Sequence, residues 1–503
     1  MKPKLQLSLQ TSNLVLGFMI WVIISSLIPF IKEDIVMNPD QIALVTAVPV
    51  ILGSLLRIPL GYWANQFGAR KMFLISFVIL MFPVYYISEA NSYSDLIIGG
   101  ILLGLGGAVF SIGVTSLPKY FPKEKHGFVN GIYGAGNIGT AVTTFSAPFV
   151  ASTLGWSMTI KIYLVLLGAF ILLNFLLGDR KETSVKTPLV SQIKSVYRNE
   201  KLWFLSLFYF ITFGSFVAFT IFLPSFLVDH FEISKVDAGI RTAGFIGIAT
   251  FLRPVGGWMG DRFNSLVVLM LVFSGITIAA TILAFSPSIA MYTVGCLSIA
   301  VFAGIGNGII FKLVPHYFQK QAGVVNGIVS AMGGLGGFFP PLMLSFLFSL
   351  TGHFAIGFMA LSELALASLI IVIWMYYHDK LHLSKNIIEH TVEGIMITDK
   401  NGVILSVNPS FTKVTGFTEE EVVGKTPSLL KSGIQDQHFY QKMWQSIEKN
   451  GCWQGEIWNR RKNGETYLEW LTISAIKDEA NEVKCFAGMF SDITSTQKNT
   501  VNQ

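Results

Sequence analysis

The chain has 503 residues, of which 52% are hydrophobic and only 13% charged, about half the share of charge in an ordinary soluble domain (roughly 25%). That balance excludes a chain that is mainly a water-soluble globule. The formal charge of +6 reads as an excess of Lys and Arg in cytoplasmic loops rather than as a nucleic-acid surface. Cys296, Cys452 and Cys485 show neither disulfide nor metal-ligand spacing, and no nucleophile–base set or phosphate loop argues for an enzyme.

Up to about residue 378, apolar stretches of about 20 residues recur, each long enough to cross a bilayer. Twelve are predicted, at 11–31, 41–64, 71–88, 95–118, 127–151, 158–178, 202–228, 238–260, 266–285, 290–315, 322–350 and 353–377. The first is too long for a cleavable leader, lacks a small-residue cleavage site and is followed by further spans. Lys2 and Lys4 precede span 1, Arg70 and Lys71 join spans 2 and 3, and Lys119, Lys123 and Lys125 join spans 4 and 5. The loop at 179–201 carries Arg180, Lys181, Lys186, Lys194, Arg198 and Lys201, whereas the loops at 89–95, 152–157, 286–289 and 351–352 hold no Lys or Arg. The positive-inside rule then places both termini in the cytoplasm of a plasma-membrane protein.

The two sets of six spans resemble each other. LLRIPLGYWANQFG (55–68) aligns with FLRPVGGWMGDRFN (251–264), so Arg57 and Arg253 match at an offset of 196 residues. PKYFPKEKHGFVNGI (118–132) aligns with PHYFQKQAGVVNGI (315–328), matching Asn130 to Asn326 at the same offset with one residue dropped between the prolines and the asparagines. Such internal repeats mark transporters that bind substrate near the bilayer midplane, between the halves.

GYWANQFGARK (61–71) resembles the loop motif after span 2 of the major facilitator superfamily, with Gly61, Asn65, Gly68 and Arg70 at its positions. Asn65 and Gln66 replace the usual Asp and Arg, which weakens the charge latch of that half, while the second half keeps Asp261 and Arg262. With GIYGAGNIGTA (131–141), GNGIIFKLVP (306–315) and VNGIVSAMGGLGGFFPP (325–341), the sequence is similar to the nitrate/nitrite porter family. The resemblance implies an all-α membrane fold of twelve transmembrane helices in two pseudo-symmetric halves. It also implies transport of nitrate, nitrite or both by alternating access, with substrate contacts from Arg57 and Arg253.

The chemistry of the arginines points the same way. A charge at the bilayer centre costs about 2.5–3.5 kcal/mol on insertion scales, so it faces a partner or a wet cavity. Acids inside the spans are few, Glu363 being the clearest, so an anionic substrate is the natural counter-ion. A planar guanidinium offers parallel charge-assisted hydrogen bonds to a planar oxyanion, and a lysine does not. Tyr133, Asn137 and Lys312 are further candidate substrate contacts, Lys312 with an alternative as a cation reaching the interface. Gly134, Gly136 and Gly139 in span 5, and Gly333, Gly334 and Gly336 in span 11, allow close helix packing or gating. A receptor that binds nitrate with little flux, or a facilitator for another small anion, are the competing readings. Coupling by proton symport or by nitrate/nitrite exchange stays open, with His316 and Glu363 as weak candidate proton partners.

Beyond the spans the composition changes. Alternation of apolar and polar residues around DKNG (399–402) and RKNG (461–464) predicts hairpins, and strands flanking short helices predict a small α+β domain. NPSF (408–411), TGF (415–417), EEVVGK (420–425) and WQGEIWNRRKNGE (453–465) resemble a PAS domain, which implies a sensor that regulates the transporter or binds a cytoplasmic signalling partner. The expected organisation is a transporter at 1–378, with halves 1–178 and 202–378 and a cytoplasmic linker at 179–201. A helical linker at 379–386 and the PAS domain at 387–495 follow. His438 is a candidate haem ligand, and Trp453 and Trp458 are candidate walls of a flavin pocket. Each has a plainer role, as a surface histidine or as core tryptophans, and no cofactor is assigned.

Overall fold

The structure, a computed structural model, describes residues 3–182, 188–285, 288–351, 355–478 and 481–494. Lys2 and Lys186, two of the charges used above for orientation, lie outside them. The chain divides into two compact units, Met1–Tyr376 and Tyr377–Gln503.

The first unit is helical. Its first ten helices are α1 Pro3–Trp21, α2 Ile23–Asp34, α3 Pro39–Leu55, α4 Arg57–Phe67, α5 Ala69–Ser88, α6 Tyr93–Ala108, α7 Phe110–Ser116, α8 His126–Gly134, α9 Ile138–Leu154 and α10 Trp156–Leu177. A short α11, Leu189–Val196, leads to α12 Glu200–Phe231, α13 Lys235–Arg262, α14 Ser265–Ala284, α15 Ile289–Tyr317, α16 Ala322–Thr351 and α17 Ala355–His390. Among the described residues, nine helical stretches are long and apolar enough to cross a membrane, or ten when the bent pair α3–α4 counts as one. The stretches at 127–151 and 238–260 are not among them. The first is broken into α8, a 3-10 turn at Ala135–Asn137 and α9. The second is the single helix α13, which carries Asp237, Arg241, Arg253, Asp261 and Arg262.

The breaks follow the sequence and lie beside the arginines. Pro59 has no N–H for the carbonyl of Leu55 and its ring crowds that carbonyl; α3 and α4 bend by 41°, and Arg57 is the first residue past the break. Val109 separates α6 from α7, and Phe110 opens α7.

Helix α4 meets α16, and α8 meets α13, through bare backbone. A methyl added at Gly61 would lie 2.5 Å from the Gly323 carbonyl oxygen, and one at Gly127 would lie 2.3 Å from that of Gly257. The asparagines repeat this exchange: Asn130 Nδ2 donates to the Phe311 carbonyl (3.2 Å) and Asn326 Nδ2 to the Val114 carbonyl (3.3 Å).

The second unit holds a five-stranded antiparallel sheet of β1 Gly394–Asp399, β2 Ile404–Val407, β3 Cys452–Arg460, β4 Thr466–Lys477 and β5 Val483–Asp492, in the order β2-β1-β5-β4-β3. The predicted hairpin turns at DKNG and RKNG join β1 to β2 and β3 to β4. Side chains alternate along a strand, and one face of this sheet supplies Met396, Ile457, Leu471 and Phe490 to a core closed by Phe411, Val422 and Leu430.

Candidate functional site

Arg57 and Arg253 are both fully buried, at 0% and 1% exposure. The end of α6 offers the Gly107 carbonyl to Arg57, and Gly134 at the end of α8 leaves space for Arg253. Arg57 Nε donates to the Gly107 carbonyl (3.3 Å) and Nη1 to the Ser330 carbonyl (2.6 Å). Its Nη2 has no hydrogen-bond partner among the described residues, and no carboxylate there pairs with this guanidinium. Arg253 Nη2 donates to the Tyr209 hydroxyl at 2.8 Å. The ring of Phe110 lies between them, 5.4 Å from Cζ of Arg57 and 5.1 Å from Cζ of Arg253, and Phe213 serves both at 5.5 and 5.8 Å. Aromatic faces attract cations, and a ring does so without neutralising the charge as a carboxylate would. The site therefore holds two cations in an aromatic box, with one N–H-bearing nitrogen left for a further acceptor.

Tyr133 borders this box. It is buried, its ring centre lies 5.7 Å from that of Phe110, and its hydroxyl is held by Val109 O (3.1 Å) and Gly113 N (3.3 Å). Gly134 belongs to the box as well, since a methyl there would fall 2.0 Å from Arg253 Nε. Gly334 and Gly333 make the corresponding room, the former against Ser54 Oγ (2.1 Å) and the latter against the Tyr209 ring (2.2 Å). The other glycines serve helix contacts: Gly136 faces Leu14, Gly139 the Val15 carbonyl and Gly336 the Phe210 carbonyl. Asn137 is buried in the 3-10 turn.

Lys312 lies elsewhere. Its Nζ pairs with Asp261 Oδ1 at 2.7 Å and donates to the Lys123 carbonyl at 2.7 Å. Asp261 also accepts from Gly127 N (2.9 Å) and Phe128 N (2.8 Å), first-turn donors of α8 that have no partner within the helix. A carboxylate there is favoured by the helix dipole. Asn65, its match in the first half, packs against Gly323 without a charge. The first half takes its charge from the linker instead. Glu182 accepts from Ala69 N (2.7 Å) beside Gly68, whose φ is +84°, and pairs with Lys119 at 2.9 Å. Arg70 donates to the Phe175 carbonyl (2.9 Å), and Arg262 is exposed. His316 and Glu363 are both exposed.

Sequence reasoning missed Phe110, Tyr209, Phe213 and Ser330. Tyr209 and Phe213 stand one helical turn apart on α12 and stack at 5.0 Å. That i, i+4 spacing was the available signal, and it is shared by any buried aromatic stripe.

The signature of the Major Facilitator Superfamily matches residues 11–341 and, a second time, 205–400. The chain belongs to the major facilitator superfamily. This membership and its long apolar helices make it a membrane protein. This superfamily member carries in addition a PAS domain, matched at 392–495. It is 64% identical over 387 residues to the "Nitrite extrusion protein" of Bacillus subtilis, covering 76% of this chain and 98% of that one. It is 54% identical over 375 residues to the "Probable nitrate transporter NarT" of Staphylococcus epidermidis, covering 75% of this chain and 97% of that one. It shares its fold with the human organic anion transporter MFSD10, with a TM-score of 0.62 at 14% identity over 74% of this chain and 100% of that one. About a quarter of this superfamily member lies outside its match to the two bacterial relatives. In its second unit His438 is exposed, while Trp453 packs against the sheet's core and Trp458 is half-buried.

Proposed function

We propose that the chain carries nitrate and nitrite across the plasma membrane by alternating access, through twelve spans in two six-helix halves with both termini in the cytoplasm. The names of the bacterial relatives support the substrate class. The reciprocal contacts of Asn130 and Asn326, and of the Gly61–Gly323 and Gly127–Gly257 pairs, support the two halves. The domain boundaries of this reading are a transporter at 1–378, a helical linker at 379–386 and a PAS domain at 387–495 that regulates transport or binds a partner.

One observation carries the reading: Arg57 is a wholly buried cation with two main-chain acceptors, no carboxylate and one nitrogen unpartnered among the described residues. A small planar oxyanion between Arg57 and Arg253 supplies the missing charge and acceptor together. Phe110, Phe213 and Tyr209 exclude water from that spot and so strengthen the attraction. Tyr133 and Gly134 shape the wall. The halves then rock about the anion, with the Asp261–Lys312 pair and the glycine contacts as the seal that must part.

The test is flux of nitrate and nitrite into proteoliposomes under a proton gradient or with internal nitrite. Flux on the gradient alone means symport, and flux only with internal nitrite means exchange. Absence of flux in both, with saturable nitrate binding retained, would replace transport by a receptor role.

A further inference from the structure

The PAS unit contains a titratable group that transport does not use. Glu469 lies in the first third of β4, on the same face as Leu471 of the core, and is 1% exposed. Its Oε1 accepts from Asn459 Nδ2 at 2.8 Å, and its Oε2 has no hydrogen-bond partner among the described residues. A carboxylate buried here with only neutral donors beside it is costly, and a carboxylic acid in the same place is not. Those donors, the Asn459 amide and the Tyr467 hydroxyl, both oppose a rise of the carboxyl without cancelling the cost of burial.

The charged and titratable groups around it are few. On β4 itself Tyr467 is a buried neighbour on the same face. Across the sheet on β5, Asp492 is its register partner. From the β3–β4 turn, Arg461 lies over the Tyr467 ring at 4.3 Å and pairs with Asp492 at 2.5 Å, so its charge is already engaged. On β3 the facing side chains are Ile457 and Asn459, both uncharged.

We propose that Glu469 is a proton-binding site through which the PAS unit responds to cytoplasmic pH: neutral, it fits the packed core beside Asn459 and Tyr467; ionised, it forces β3, β4 and β5 apart around it. Burial, with Asp492 adding to it, pushes the carboxyl up to about 7, which puts the change within the range a cytoplasm covers. The sign follows from a folded-state value above the unfolded one. Below the ordinary carboxyl range the stabilisation is complete, and it is lost as pH rises through about 7.

The test is hydrogen–deuterium exchange of the purified full-length protein between pH 6 and 8, corrected for the intrinsic rate, followed in peptides of β3, β4 and β5. In the native protein, protection of these strands falls about tenfold or more as pH rises through the transition. Glu469→Gln abolishes the transition and keeps the strands protected at pH 8. Asp492→Asn, which removes the nearby negative charge, moves the midpoint to lower pH. A native protein without a transition overturns the proposal, as does a transition that survives in Glu469→Gln. If Glu469→Gln is unprotected at every pH, Asp492→Asn decides, and an unmoved midpoint there overturns it. The readout is independent of transport, so absence of nitrate flux leaves it intact.

Discussion

Arg57 Nη1 donates to the main-chain carbonyl of Ser330 at 2.6 Å, across 273 residues of sequence. The matching relation in the repeat sets Arg253 against Gly134, whose Cα leaves no room for a methyl beside Nε. Arg57 on α4 thus leans on α16, and Arg253 on α13 lies against α8, so in the reading proposed above the grip on the anion and the closeness of the two halves are one geometry.

Arg57→Lys is expected to reduce nitrate flux by at least a hundredfold while the protein still inserts and purifies as a folded species. An ammonium keeps the charge but cannot hold Gly107 O and Ser330 O and still present an in-plane donor. Counterflow in proteoliposomes, with size-exclusion chromatography as the folding control, checks it; flux at the native level would falsify the role given to Arg57.

Tyr209→Phe keeps the ring stacked on Phe213 and removes the oxygen that accepts from Arg253. A hydrogen bond to a charged group contributes about 1.5–3 kcal/mol. The expected outcome is a rise of roughly tenfold in the apparent KM for nitrate with little change in melting temperature.

Gly134→Ala and Gly139→Ala are predicted to fail differently. The first pushes a methyl at Arg253 Nε, the second at the Val15 carbonyl of α1. Nitrate affinity should fall about tenfold or more in the first with the protein still stable. The second should lower the melting temperature, since a backbone contact cannot give way as a side chain can. Thermal unfolding and nitrate binding measured on both variants separate the two cases.

Asp261→Asn removes a charge that holds Lys312 and two N–H groups at the start of α8. The cytoplasmic seal should weaken by about 2 kcal/mol. A reporter cysteine at buried Ala331, in a background lacking Cys296, Cys452 and Cys485, should then be modified at least several-fold faster by an impermeant maleimide in inside-out vesicles. An unchanged rate would show that this ion pair does not hold the seal shut.

Ending the chain after residue 382 should leave nitrate flux in place, because the bacterial relatives are matched over 97–98% of their length by about three quarters of this chain. Loss of flux in a truncated protein that is present in the membrane would make the PAS unit a required part of the transporter.

Much of this was legible in the sequence because it is written in runs and repeats. Apolar stretches mark the helices, a shared offset pairs Arg57 with Arg253, and DKNG and RKNG mark the turns that join β1 to β2 and β3 to β4. The aromatic box was not legible. Phe110, Tyr209 and Phe213 come from two distant helices, and among 41 phenylalanines nothing local distinguishes a ring over an arginine from a ring in lipid. For Lys312 the sequence leaves a pathway cation and a cation reaching the interface equally open, because its partner, Asp261, stands 51 residues away. The part played by Glu182 was not legible either, since its bonds to Ala69 N and Lys119 depend on tertiary proximity. Span 8 as a sequence window hid its polarity, which is spread along 28 residues of α13.

The glycine contacts have a thermal consequence. Where α4 meets α16 and α8 meets α13, backbone faces backbone at Gly61, Gly323, Gly127 and Gly257. Separating such surfaces wets little hydrocarbon, and the heat-capacity change of a transition scales with the hydrocarbon wetted. The enthalpy of opening the closed face should then stay nearly constant with temperature, so the logarithm of the open-to-closed ratio should fall on a straight line against reciprocal temperature. A line that bends would mean that opening wets apolar side chains well beyond these four glycines.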